Sequence, residues 1–176
     1  MENVAALLEG KGYTLRSGGA KGADTAFEKG VKSKKDIFYS KDATDKTRAI
    51  ALEVHPNPTA LKKYPVGVDL MARNTNQVFG RNLDTPVDFI LAWTPRGEKV
   101  GGTAQAIRMA EAKGIPVINL AFSNWKTKLD NILFGKKIKK PTKYKKEQFT
   151  KYLLDPKKGL VNRPDGKNID PDTGKP

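Results

Sequence analysis

The stretch Leu15-Arg16-Ser17-Gly18-Gly19-Ala20-Lys21-Gly22-Ala23-Asp24 reads as a strand end, a glycine-rich turn and the opening of a helix over 23–30. A helix start leaves its first backbone N–H groups without intrahelical partners and carries the positive end of the macrodipole. Glycines, lacking Cβ, let an anion approach those groups closely. One such loop is a weak signal, but the chain repeats it. The apolar strand Val87-Asp88-Phe89-Ile90-Leu91-Ala92-Trp93-Thr94 is followed by Gly97, then Gly101-Gly102-Thr103, then a helix from Ala104 to Lys113. Two strand–glycine–helix units predict parallel strands and a site for a phosphate-bearing small molecule.

Other segments extend the same alternation. Val4, Leu7 and Leu8 are spaced for a helix over 2–9, which Gly10-Lys11-Gly12 stops. Tyr13 to Arg16 forms a short strand, and Asp36-Ile37-Phe38-Tyr39 another, between lysine-rich turns. Thr47 to Val54 reads as a helix ended by His55-Pro56-Asn57-Pro58. A second runs from about Gly67 to Phe79, with Val68, Met71, Ala72, Thr75 and Phe79 on one face. Pro116 to Leu120 is the last apolar strand. The predicted fold class is α/β: a Rossmann-like parallel sheet with helices on both faces, plus a basic, extended C-terminal tail. Ligands of such sheets sit beyond the carboxyl ends of the strands, so both glycine loops should share one edge.

The division expected is a folded domain over 1–122 and a lysine-rich extension over 123–176. The extension holds 15 of the 33 Lys+Arg but 6 of the 19 Asp+Glu, so most of the net charge of +14 belongs to it. Trp125 to Phe134 reads as one more helix and Lys145 to Leu154 as a short amphipathic one; the rest is turn-forming. Lys136, Lys137, Lys139, Lys140, Lys143, Lys145 and Lys146 are the candidate contacts to nucleic acid or to an acidic protein surface, against a plainly solvated tail. Cysteine is absent, which excludes disulfides and thiolate metal sites. No apolar run has the length of a membrane span, and no secretory signal is visible at the start, so no membrane partner is expected. The cytoplasm is the expected compartment.

Ser17-Gly18-Gly19-Ala20-Lys21-Gly22-Ala23-Asp24 resembles the glycine-rich loop of the SLOG superfamily. That group includes the Rossmann domain of DNA-processing protein A and the Lonely Guy-type nucleotide phosphoribohydrolases. The resemblance extends through Arg73-Asn74, Gln77-Val78, Trp93-Thr94-Pro95, Gly101-Gly102-Thr103-Ala104-Gln105-Ala106-Ile107-Arg108 and Gly114 to Leu120, and covers residues 10–122. The blocks are most similar to short members encoded by bacteriophages, which implies host cytoplasm or the virion as location. Two departures stand out. Relatives begin with a strand ending in a Gly-Ser-Arg type turn, and this chain starts too late to contain it. Either a partner supplies that strand or the ancestral site is degraded. The phosphoribohydrolase motif Pro-Gly-Gly-X-Gly-Thr-X-X-Glu, aligned on Gly102-Thr103, puts Ala106 where the glutamate belongs and Gln105 before it, neither able to act as a carboxylate base.

Ser17, Gly18, Gly19, Lys21, Gly22, Gly101, Gly102 and Thr103 are therefore the candidate phosphate-binding residues, with Arg73 implied by the resemblance to face the pocket. Asp24 either favours the helix dipole or contacts a ribose hydroxyl, the former preferred. Trp93 either stacks on a base or caps the core, beside Thr94. No catalytic residue and no metal is implied: His55 lacks a ligand-spaced partner, and Asp165, Asp170 and Asp172 lack calcium-loop spacing. The leading expectation is non-catalytic binding of a nucleotide or nucleotide-derived ligand. The alternatives are nucleic-acid binding through the basic tail, in the manner of DNA-processing protein A, and a phage structural or assembly protein, homo-oligomeric or part of a larger particle, using the fold as scaffold.

Overall fold

A computed structural model describes residues 1–135; the lysine cluster at 136–146 and the aspartates at 165–172 lie outside the described residues. The elements follow in the order α1 (Glu2–Gly10), β1 (Leu15–Ser17), α2 (Ala23–Gly30), β2 (Lys35–Ile37), α3 (Asp45–Val54), α4 (Pro58–Lys62), α5 (Pro65–Phe79), β3 (Ile90–Ala92), α6 (Gly101–Ala112), β4 (Val117–Asn119) and α7 (Trp125–Phe134). The chain is mixed α/β, and every strand pairs in parallel with one neighbour.

The strands do not merge into one sheet. β1 pairs with β2, Leu15 opposite Lys35, and β3 pairs with β4, Ile90 opposite Val117. Neither pair is hydrogen-bonded to the other. β3 is also shorter than its apolar run: the run from Val87 to Thr94 yields three residues of ladder. Extended apolar sequence becomes ladder only where a neighbour accepts its hydrogen bonds, and here each inner strand has one neighbour.

The core is correspondingly split. On one side, Ile50 and Ala51 of α3, Ala72, Val78 and Phe79 of α5, and Met109 and Ala110 of α6 form one cluster, with Ile90 and Val117 packed against it. On the other side, Ala5, Phe27 and Val31 form a second cluster beneath Leu15 and Leu91. Leu8, Ile118 and Leu129 form a third. Adjacent strand residues Ile90 and Leu91 thus serve opposite faces, the period-two alternation of a strand covered on both sides. α7 falls in the segment assigned from sequence to the extension, yet it packs Leu129 against α1 and β4.

Helix boundaries have local causes. Thr44 caps α3, its hydroxyl accepting from the Thr47 amide, and Asn57 caps α4 ahead of Pro58. α4, five residues long, is too short to carry a periodicity in the sequence. At the far end of α1, the Glu9 carboxylate accepts from the backbone amides of Lys32, Ser33 and Lys34, at 2.9, 2.8 and 2.8 Å. These amide bonds, that of Lys32 foremost, hold the Glu9 carboxyl at about 2, against an ordinary 4.5. A carboxyl depressed on folding contributes stability above its unfolded value, and that contribution fades as the pH falls toward the folded one. Glu9→Gln is therefore expected to be less stable than wild type at neutral pH, with the difference shrinking between about pH 4.5 and pH 2. Urea denaturation across that range checks it; a difference independent of pH would show that the amide nest is not the cause.

Candidate functional site

α5 runs between the two glycine loops, and two adjacent residues on it hold one loop each. Arg73 Nη1 donates to the carbonyl of Gly18 at 2.9 Å, and Asn74 Nδ2 donates to the carbonyl of Gly102 at 2.9 Å. Both loops consequently border one cleft of about 1640 Å³, whose wall includes Ser17, Lys21, Asp24, Arg73, Asn74, Gly102 and Thr103. The fit at Gly18 is close: a Cβ there would stand 2.8 Å from the Arg73 guanidinium, which would have to move. Gly19, Gly22 and Gly101 adopt φ of +66°, +103° and +63°, a region that favours glycine.

The two loops differ in what their amides do. In the first, the Asp24 carboxylate reaches back from the opening turn of α2 and accepts from the amides of Gly18 at 3.2 Å and Ala20 at 3.1 Å. Gly19 donates to Ser17 Oγ, and that hydroxyl in turn donates to Glu28. An internal carboxylate thus occupies the place an anion would take at Gly18 and Ala20. Asp24 has the structural role preferred for it in the sequence analysis, though not through the dipole alone. Ser17, 2% exposed, has its hydroxyl committed to Glu28. Glu28 was overlooked in the sequence, although its spacing of four from Asp24 puts both carboxylates on one helix face.

The second loop is open. No side chain caps α6, and its first turn holds no acidic residue. Gly101, Gly102 and Thr103 are exposed there, at the positive end of a twelve-residue helix. Across from it, Arg73 carries a buried Nε with no hydrogen-bond partner. Lys21 is exposed on the cleft wall. Donors on the cleft wall thus include the α6 terminus, Arg73 and Lys21.

Trp93 and Thr94 lie outside the cleft wall. Trp93 is 45% exposed, so it does not cap the core. Thr94, 3% exposed, is held by Asn119. Asn119 Nδ2 donates to Thr94 Oγ1 at 2.7 Å, while the Thr94 amide donates to Asn119 Oδ1 at 3.4 Å. This clasp ties the ends of β3 and β4 together; the polar residue closing an otherwise apolar strand was the signal for it. Gln105 is fully buried and donates to the carbonyl of Ala51 at 2.7 Å, while Ala106 borders the cleft. Among the described residues no helix is long and apolar enough to cross a membrane, and no group of three metal-ligating side chains is found.

Compared with known proteins, the chain gives no significant match to a family model, a curated sequence or a solved structure.

Because Asp24 alone neutralises the Gly18 and Ala20 amides, Asp24→Ala is expected to cost about 1–2 kcal/mol of folding stability, the scale of hydrogen bonds to a charged group in a partly exposed setting. Denaturant midpoints at constant slope measure it. An unchanged midpoint would mean that water serves those amides equally well.

Proposed function

We propose that the chain binds a nucleotide or nucleotide-derived phosphate without transforming it, the anion resting on the opening amides of α6. The observation that carries this reading is the joining of both glycine loops, through Arg73 and Asn74, around one cleft with an uncapped helix start. In this reading Thr103 and the Gly102 amide take phosphate oxygens, the Arg73 guanidinium supplies positive charge on the cleft wall, and Lys21 adds a mobile cation. A helix terminus contributes roughly 0.3–1 kcal/mol through its dipole, so useful affinity needs the guanidinium and the hydroxyl as well. Asp24 makes the first loop an anchor rather than a phosphate cradle, which shifts the ligand toward α6. Trp93, exposed beyond β3, is left as a stacking surface only for a ligand that reaches outside the cleft wall. The cleft offers Ala106 where a hydrolase of the resembled superfamily would need a carboxylate, which is why binding without turnover is proposed. The wider layout is proposed to be Rossmann-like, and the compartment cytoplasmic.

Calorimetry against nucleoside monophosphates, diphosphates and cyclic nucleotides tests the proposal. Wild type should bind at least one class. Thr103→Asp, which places a like charge at the anion position, should weaken it about tenfold or more, equivalent to about 1.4 kcal/mol. Arg73→Met should weaken it comparably. No heat at millimolar ligand, or binding untouched by both substitutions, would overturn it.

The uneven charge of the chain favours a second reading, in which the lysine-rich extension binds nucleic acid or another acidic surface. Since α7 packs into the fold, the informative deletion is 136–176 rather than 123–176. If the extension is the contact, single-stranded DNA binding should fall steeply with salt and vanish on that deletion, while nucleotide binding persists. Salt-insensitive binding, or binding retained after the deletion, would contradict it.

A further inference from the structure

The two half-sheets present free edges toward the same cleft. β1 bonds β2 through Leu15 and Ser17: the Leu15 amide donates to Lys34 and the Ser17 carbonyl accepts from Phe38. β3 bonds β4 through Ile90 and Ala92: the Ile90 amide donates to Pro116 and the Ala92 carbonyl accepts from Leu120. Residues bonding one neighbour alternate with residues whose N–H and C=O face the opposite edge. Arg16 and Leu91 therefore turn their backbone groups away from β2 and β4, and both line the cleft.

The two edges also share polarity. Near their starts, the rings of Tyr13 and Phe89 meet edge to face at 5.4 Å. Beyond their ends, the loops meet on neighbouring residues of α5. β1 and β3 thus run the same way, too far apart to bond, yet Leu15 and Leu91 pack on one cluster. The cleft exceeds the roughly 300–1,000 Å³ of a small-molecule pocket. Each face carries apolar residues, Ala5 and Phe27 on one and Met71, Val78 and Ala106 on the other, with the polar Arg73, Asn74 and Gln77 also on the wall.

We infer that the space between β1 and β3 is a slot for one β-strand, parallel to both and supplied by polypeptide outside residues 1–176, giving the order β2–β1–inserted strand–β3–β4. Two edges satisfied at once make this a stronger acceptor than a single exposed edge, and the mode is strand addition. Covered by helices on both faces, the strand must be uncharged and apolar on both sides. Residues 136–176 do not meet that requirement. Their longest run without Asp, Glu, Lys or Arg is the four residues 159–162. The slot lies along the strands, whereas the proposed anion site lies beyond their carboxyl ends, so the inference does not depend on nucleotide binding.

The test uses the full 176-residue chain with the segment Val-Val-Ile-Ala-Val fused ahead of Met1 through a flexible Gly/Ser linker, compared with the unfused chain and with a fusion whose central Ile is Pro. Hydrogen exchange at the Arg16 and Leu91 amides should slow by about tenfold or more in the fusion, with a higher thermal midpoint, and the Pro control should match the unfused chain. The free five-residue peptide, added in excess, should reproduce the protection in part. Three results would overturn the inference. The first is unchanged exchange at Arg16 and Leu91 in the fusion. The second is existing protection in the unfused chain that disappears on deleting 136–176, which would assign the slot to the extension. The third is protection that rises with protein concentration, which would assign it to a second copy.

Discussion

Arg73 and Asn74 hold the candidate site together. A helix can bring two distant loops to one place only if it spends side chains on both, and neighbouring positions on α5 do this, one carbonyl each. Because both bonds go to backbone carbonyls, they fix the path of each loop rather than the identity of its side chains. A Cβ at Gly18 would press on the Arg73 guanidinium, and Gly102 lies on the cleft wall at the start of α6.

Charge divides the work between the loops. Asp24 answers the Gly18 and Ala20 amides of the first loop from within. The second has no such carboxylate, and its helix start stays positive. The anion position proposed above is therefore the α6 end of the cleft, with the Arg73 side chain on the same wall.

Much of this was legible in the residues. The helix over Ala23–Gly30, the one over Trp125–Phe134 and the core face of α5 follow from periodicity and glycine stops, and the structure has them. The glycine loops were legible as turns, and their convergence followed from parallel topology. What the sequence concealed was pairing. Val87 to Thr94 is apolar throughout, and nothing within it reveals that only Ile90–Ala92 finds a partner strand. The commitment of the Ser17 hydroxyl to Glu28 was hidden for the same reason, since it depends on a residue brought near by the fold. The split core follows from the unpaired inner edges, a property of the whole sheet rather than of any segment.

The central claim is that both glycine loops serve one anion site whose donors are the α6 start and Arg73. Chemical-shift titration of the isotope-labelled protein with inorganic phosphate and with a nucleoside monophosphate tests it most directly. The Gly101, Gly102 and Thr103 amides and the Arg73 Nε proton should move together along one binding curve, with Gly18 and Ala20 nearly still. Shifts confined to exposed lysines, or a moving Gly18 and Ala20 beside a static Gly102, would contradict the account.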